Sequence, residues 1–290
     1  MTNPLIRHEL GKPNHRNPVQ KKEKRNMGLE RIAAAFAAAR AAGRAALMPY
    51  YTLGYPDAPT SEAVIRSVAD AGADLIELGV PFSDPLADGP TIQRSTQIAL
   101  ENGMTVAGCL ALTARLRGGG VAQPLLLMGY VNPILAYGPA GFVADAAAAG
   151  ADGLIVPDLP PEEAGELAAA CAAHQLALIY LAAPTSTDDR LAMLAAATTG
   201  FLYLVSVAGV TGARAGLPPD LADFIGRARR VARTPLAVGF GIATPAQARA
   251  VGQLADGVIV GSALIGAATG VDDPPAAARN FIGELRDALL

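Results

Sequence analysis

Apolar side chains in this chain follow two alternating patterns. The first is the short, nearly uninterrupted run. Eight such runs occur, at Leu47–Leu53, Ala73–Val80, Pro124–Tyr130, Gly153–Asp158, Ala177–Ala182, Phe201–Ser206, Leu236–Phe240 and Gly257–Val260. Runs this short and this apolar suit parallel strands covered on both faces. The second pattern is Ala-rich with helical spacing, as in Leu29–Arg44 before the first run and in Ser61–Ala71, Glu162–His174 and Pro245–Leu254 between later ones. Helix-start chemistry precedes several of these stretches, for example Thr244-Pro245 and Leu159-Pro160-Pro161. Eight strand–helix units in about 260 residues predict an α/β protein, a single-domain (β/α)₈ TIM barrel over residues 27–290. An open doubly wound sheet is the alternative. It usually has fewer strands, and no GxGxxG follows the first run here.

Composition supports one large core, with 51% hydrophobic and 17% charged residues. Residues 1–26 differ: they carry seven Lys/Arg, few apolar side chains and scattered Pro and Asn, and read as a disordered basic tail. The tail reads as an extension ahead of a start at Met27 rather than a nucleic-acid or membrane tether. It has no apolar core of a secretory signal, so a cytoplasmic location is expected. The uncharged stretches Gly118–Ala144 and Leu191–Ala213 are long enough to span a membrane. Gly, Pro, Asn, Gln and Thr interrupt them, as loops between buried strands would. Only Cys109 and Cys171 are present, without a CxxC, which argues against a disulfide framework or structural zinc.

In a barrel, chemistry sits at the C-terminal ends of the strands. Alternation along the second run places Ala73, Leu75, Glu77 and Gly79 on the face toward the axis. Glu77 is then a carboxylate in an apolar interior. It is either an acid/base with a raised pKa or a structural residue capping backbone. The loop Pro81–Pro90 that follows brings Asp84 and Asp88 near the same cavity, though either Asp also suits a turn. Glycines gather at the last three strand ends, in Gly209-Val210-Thr211-Gly212, Gly239-Phe240-Gly241 and Gly261-Ser262. Such backbone suits a phosphate, which barrels often bind beside strands seven and eight.

Absences narrow the reaction. All four lysines lie in the first 26 residues, so the barrel has none for a Schiff base. Its one histidine, His174, cannot supply a metal-ligand cluster or a hydrolase triad. What remains is carboxylate chemistry on a phosphorylated substrate, without metal or cofactor.

The segment Glu77-Leu78-Gly79-Val80-Pro81-Phe82-Ser83-Asp84-Pro85-Leu86-Ala87-Asp88-Gly89-Pro90-Thr91-Ile92-Gln93 resembles the signature of the tryptophan synthase alpha chain family. Pro49–Gly54, Met128–Pro133, Val156–Pro160 and Gly209–Gly212 resemble it too, in the same order. The likeness covers residues 27–290. It implies a (β/α)₈ barrel and a lyase of tryptophan biosynthesis that cleaves indole-3-glycerol phosphate to indole and glyceraldehyde 3-phosphate. It implies that Glu77 is the general acid/base at indole C3 and the glyceryl hydroxyl, and that Asp88 bonds the indole N–H. Tyr203 would lie beside Glu77. Gly212, Gly241, Gly261 and Ser262 would hold the phosphate. Tyr50, Leu127, Tyr130 and Phe240 would shape the indole pocket, Thr211 would help close it, and Asp84 would belong to a loop that communicates with the partner.

That partner would be the tryptophan synthase beta chain, in an α2β2 heterotetramer that receives the indole directly. Pyridoxal phosphate is expected only in the beta chain, and neither nucleic acid nor membrane is expected as a partner. The stretches Phe82–Pro90, Val131–Pro139 and Ser206–Pro218 read as the least packed, and all lie at the face such a partner would cap. The tail matches nothing in the family. Other readings of the barrel are a stand-alone indole-releasing lyase, a non-catalytic activating subunit, and a metal-dependent sugar-phosphate epimerase. The pair Glu77 and Asp88 argues against the second, and the missing histidines against the third.

Overall fold

The computed structural model of the chain describes residues 28–206, 218–239 and 241–290. The proposed tail, and Thr211, Gly212 and Phe240 among the candidate site residues, lie outside them. Nine parallel strand segments are present: β1 (Ala46–Thr52), β2 (Ile76–Gly79), β3 (Leu125–Met128), β4 (Gly153–Ile155), β5 (Ala177–Ile179), β6 (Leu181–Ala182), β7 (Leu202–Val205), β8 (Leu236–Gly239) and β9 (Gly257–Val260). Each of the eight predicted runs contains a strand.

The sheet order is β5-β4-β3-β2-β1-β9-β8-β7-β6. Its two ends, β5 and β6, are consecutive in the chain and separated only by Tyr180. The Tyr180 carbonyl accepts from the Tyr203 N–H at 3.1 Å. The sheet therefore closes on itself as an eight-position barrel, and no open doubly wound sheet forms. Helices connect the strands and cover the outer face. Two of them, Pro90–Glu101 and Val106–Gly118, follow β2, and two more, Val131–Tyr137 and Pro139–Ala149, follow β3. The stretch after β3 is thus helical, and within Val131–Tyr137 only Ile134 is buried. Asp158 at the end of the fourth unit accepts the Val131 N–H at 3.0 Å, which supports a first turn that the local sequence does not announce.

The N-terminal end of the barrel is sealed. The helix Gly28–Ala41 lies across it and buries Ile32 and Phe36. Phe36 packs on Phe201 with ring centroids 5.7 Å apart. Around this floor, polar groups at the start of one strand grip the start of the strand before it. Asp74 accepts the Leu47 N–H at 2.8 Å and a two-pronged bond from Arg44. Asp152 accepts the Leu125 N–H at 2.8 Å and pairs with Arg117 and Arg31. Asp256 accepts the Leu236 N–H at 2.8 Å and pairs with Arg229. Thr199 does the same for Leu178 through its hydroxyl, at 2.8 Å. Each grip spans one strand–helix–strand unit, so it ties together residues 20 to 27 positions apart.

Candidate active site

The opposite end of the barrel holds a cavity where side chains from several strand ends meet. Its wall is mostly apolar, with Ile92, Met128, Ile242 and Ile259 among the lining residues. Glu77 lines it from β2, Asp88 from the loop after β2, Tyr50 from β1 and Tyr203 from β7. Gly241, Gly261 and Ser262 line it from the ends of the last two strand units. The structure therefore brings together seven of the sequence-predicted residues.

Register explains why these side chains converge. Tyr50 pairs with Glu77 across β1 and β2, so both point to the axis. Glycine at two strand ends makes room for the tyrosines. A Cβ at Gly79 would lie 2.1 Å from the Tyr50 hydroxyl, and one at Gly239 would lie 2.3 Å from that of Tyr203. Gly239 thus relieves crowding, whereas Gly241 and Gly261 face the cavity itself. The Tyr50 hydroxyl also reaches Thr52 Oγ1, which pairs with Ser95 Oγ at 2.7 Å.

Glu77 is fully buried, and among the described residues neither carboxyl oxygen has a hydrogen-bond partner. Loss of water alone pushes its pKa up to about 8, so the group rests as a protonated acid at neutral pH. Asp88 is 6% exposed and accepts a 2.9 Å bond from the Tyr130 hydroxyl. Burial raises its pKa, and the Tyr130 bond pulls it back down. The two carboxyls thus differ in support: one is bare, the other held in a hydrogen bond. Burial and the neighbouring carboxyls keep the Tyr50 and Tyr203 phenols protonated. Asp84 lies outside the cavity, where the Ser83 hydroxyl bonds it, so of the two loop acids only Asp88 enters the site.

Two expectations change in detail. Leu127 pairs with Leu78, not with Glu77, and its side chain lines a separate apolar cavity behind the sheet. The inward position belongs to its neighbour Met128, in register with Gly79. Tyr130 lines that rear cavity too, and only its hydroxyl reaches toward the site, through Asp88. Among the described residues no group of three or more His, Cys, Asp or Glu could hold a metal ion. No described helix is long and apolar enough to cross a membrane.

A closed parallel barrel with two desolvated carboxyls in an apolar cavity at its C-terminal end defines a β/α-barrel enzyme of general acid–base chemistry. The family model described as "Tryptophan synthase alpha chain" matches residues 36–282. A tryptophan synthase alpha chain of Chloroflexus aurantiacus is 55% identical over 237 residues, 82% of this chain and 89% of that one. One of Caulobacter sp. is 53% identical over 239 residues, 82% of this chain and 87% of that one. A solved Mycobacterium tuberculosis tryptophan synthase chain superposes with a TM-score of 0.83 at 43% identity, covering 89% of this chain and 98% of that one. The alpha chain of Legionella pneumophila superposes with a TM-score of 0.82 at 36% identity, covering 89% of this chain and 97% of that one. The chain belongs to the tryptophan synthase alpha chain family.

Proposed function

We propose that this chain is the lyase subunit of a tryptophan synthase and cleaves indole-3-glycerol phosphate to indole and glyceraldehyde 3-phosphate with Glu77 and Asp88. The observation that carries the assignment of roles is the bare, fully buried carboxyl of Glu77 on the axis-facing side of β2. As a resting acid it delivers its proton to indole C3. Positive charge then spreads onto the ring nitrogen, where Asp88, as a carboxylate, accepts the N–H and stabilises it. The glyceryl hydroxyl returns a proton to Glu77 as its oxygen becomes the aldehyde carbonyl. The bond between C3 and the glyceryl carbon breaks, and its electron pair restores the aromatic ring. Glu77 ends as it began, so the cycle needs no outside proton, lysine, metal or cofactor on this chain.

Tyr50, Met128 and Ile259 form the apolar wall for the ring, and Tyr203 stands beside Glu77 and the glyceryl chain. The backbone around Gly241, Gly261 and Ser262 takes the phosphate, because first-turn N–H groups have no acceptor within a helix. Gly212, Thr211 and Phe240 keep the roles the resemblance implies, and Tyr130 and Leu127 support the wall from behind. A beta chain carrying pyridoxal phosphate completes an α2β2 assembly. Leu86 and Leu135, 81% and 58% exposed, offer it apolar surface in the segments after β2 and β3. Both cysteines are buried free thiols, in keeping with a reducing, cytoplasmic compartment. The test is indole release from indole-3-glycerol phosphate, by this chain alone and with a beta chain, comparing wild type with Glu77→Gln. Turnover retained by the variant would overturn the assignment of Glu77.

A further inference from the structure

Tyr130 sits in the Met128–Pro133 motif but does not face the substrate cavity. Its phenol oxygen uses both hydrogen-bonding roles on one loop: it donates to Asp88 Oδ2 at 2.9 Å and accepts from the Ala87 N–H at 3.0 Å. Phe82 of the same loop packs on the ring at a centroid distance of 5.4 Å, and the ring lines the apolar cavity behind β3 together with Val80, Leu127 and Phe142. The backbone is fixed as well, because Tyr130 precedes the helix Val131–Tyr137 whose first N–H is held by Asp158. A buried, 5% exposed tyrosine anchored in this way is a fixed post with its one polar side-chain atom against the Asp88 carboxylate.

We propose that Tyr130 is the positioning residue for Asp88, orienting the carboxylate toward the ring nitrogen, and is not a wall of the substrate pocket. The inference rests on the role given to Asp88 above. The groups that face Asp88 are Tyr50 from β1, Glu77 from β2, Tyr130 after β3 and Tyr203 from β7. Glu77 is the one other acid in this set, no cation joins it among the described residues, and Tyr130 donates a hydrogen bond to the Asp88 carboxylate. That bond favours the ionised form, so its loss raises the pKa of Asp88. The fraction of enzyme with Asp88 charged then falls at any pH on the acid side.

The experiment uses the full chain with its beta partner and indole-3-glycerol phosphate. It compares wild type, Tyr130→Phe, Asp88→Asn and the double variant. Tyr130→Phe keeps the ring and its packing, and thermal unfolding of each variant reports on the fold. The expected result is a fall in kcat of about tenfold for Tyr130→Phe, the size of a lost hydrogen bond to a charged group, with KM nearly unchanged. The acid limb of its pH profile moves to higher pH, and the double variant is no slower than Asp88→Asn. A raised KM at unchanged kcat makes Tyr130 a substrate wall and overturns the proposal. So does an unmoved acid limb, or losses that multiply in the double variant. If Asp88→Asn alone keeps wild-type turnover, it is the role of Asp88 that fails, and Tyr130 loses its object with it.

Discussion

The two ends of the barrel use their acids in opposite ways. At the sealed end, Asp74, Asp152 and Asp256 each accept a backbone N–H and pair with an arginine. At the open end, Glu77 has no partner on either oxygen among the described residues, and Asp88 is held by a phenol. Arg44, Arg117 and Arg229 supply the charge pairing at the floor, and no described arginine lines the active cavity. An acid matched by an arginine and a backbone N–H ties neighbouring strands together. Glu77, without such a match, has its pKa pushed up to about 8 by burial and can give its proton away. The difference lies in the neighbours, not in the residue type.

The contrast can be broken most sharply at Glu77. Glu77→Gln should lower kcat for indole release by about 10²–10⁴-fold, the usual span for a general acid–base group. In wild type the rate should fall as pH rises past about 8, where the resting acid ionises. Any residual rate in the glutamine variant should lack that limb, which a pH series of steady-state rates would show.

At the other end, Asp152→Ala leaves Arg117 and the Leu125 N–H without their buried acceptor. Breaking a buried pair in this way costs about 3–5 kcal/mol. Urea unfolding should register that loss, while kcat per folded molecule stays near wild type. A large fall in kcat with little loss of stability would mean that the floor takes part in the chemistry.

The loop acids sharpen the contrast on a finer scale. Asp88→Asn should slow turnover without a beta chain by about tenfold or more, because the amide keeps a hydrogen bond but not the charge. Asp84→Asn, outside the cavity, should leave that partner-free rate unchanged. Reversed outcomes in a side-by-side assay would exchange the two roles.

The smallest effect concerns stability. Glu77 binds its proton more tightly in the folded chain than in the unfolded one, since its folded pKa is raised. Folded protein then carries more protons between the ordinary carboxyl range and about pH 8, so stability declines as pH rises through that window. Glu77→Gln escapes the decline. Its Tm should match wild type near pH 5 and exceed it at pH 9. Equal Tm values at both pH values would mean that Glu77 is better solvated than its burial indicates.

Much of this organisation is legible in the chain, for reasons tied to particular residues. The strands stand out because both faces are covered and nearly every position is apolar. That same uniformity hides which way a residue points: Leu125-Leu126-Leu127-Met128 offers no alternation, so Leu127 and Met128 exchange places between expectation and structure. Glu77 escapes the ambiguity because it is the one charge in its strand. The grips at the floor have a local signal, an Ala-Asp pair just before the strands at Asp74, Asp152 and Asp256. Their meaning depends on arginines and N–H groups far away in the chain, which spacing alone does not reveal. The helix Val131–Tyr137 is hidden in a similar way, since its first turn leans on Asp158 from the next unit.

The lid of Ile32 and Phe36 over the barrel floor carries a consequence for traffic. Among the described residues the active cavity opens at the strands' C-terminal ends alone, so the barrel works as a cup and not as a pipe. Two products of one cleavage must leave by the rim through which a single substrate came in. A subunit seated on that rim would govern both exits, and it could send the ring one way and the sugar phosphate another only by dividing the doorway. The order of departure would then be a property of the assembled pair, set where the two chains meet.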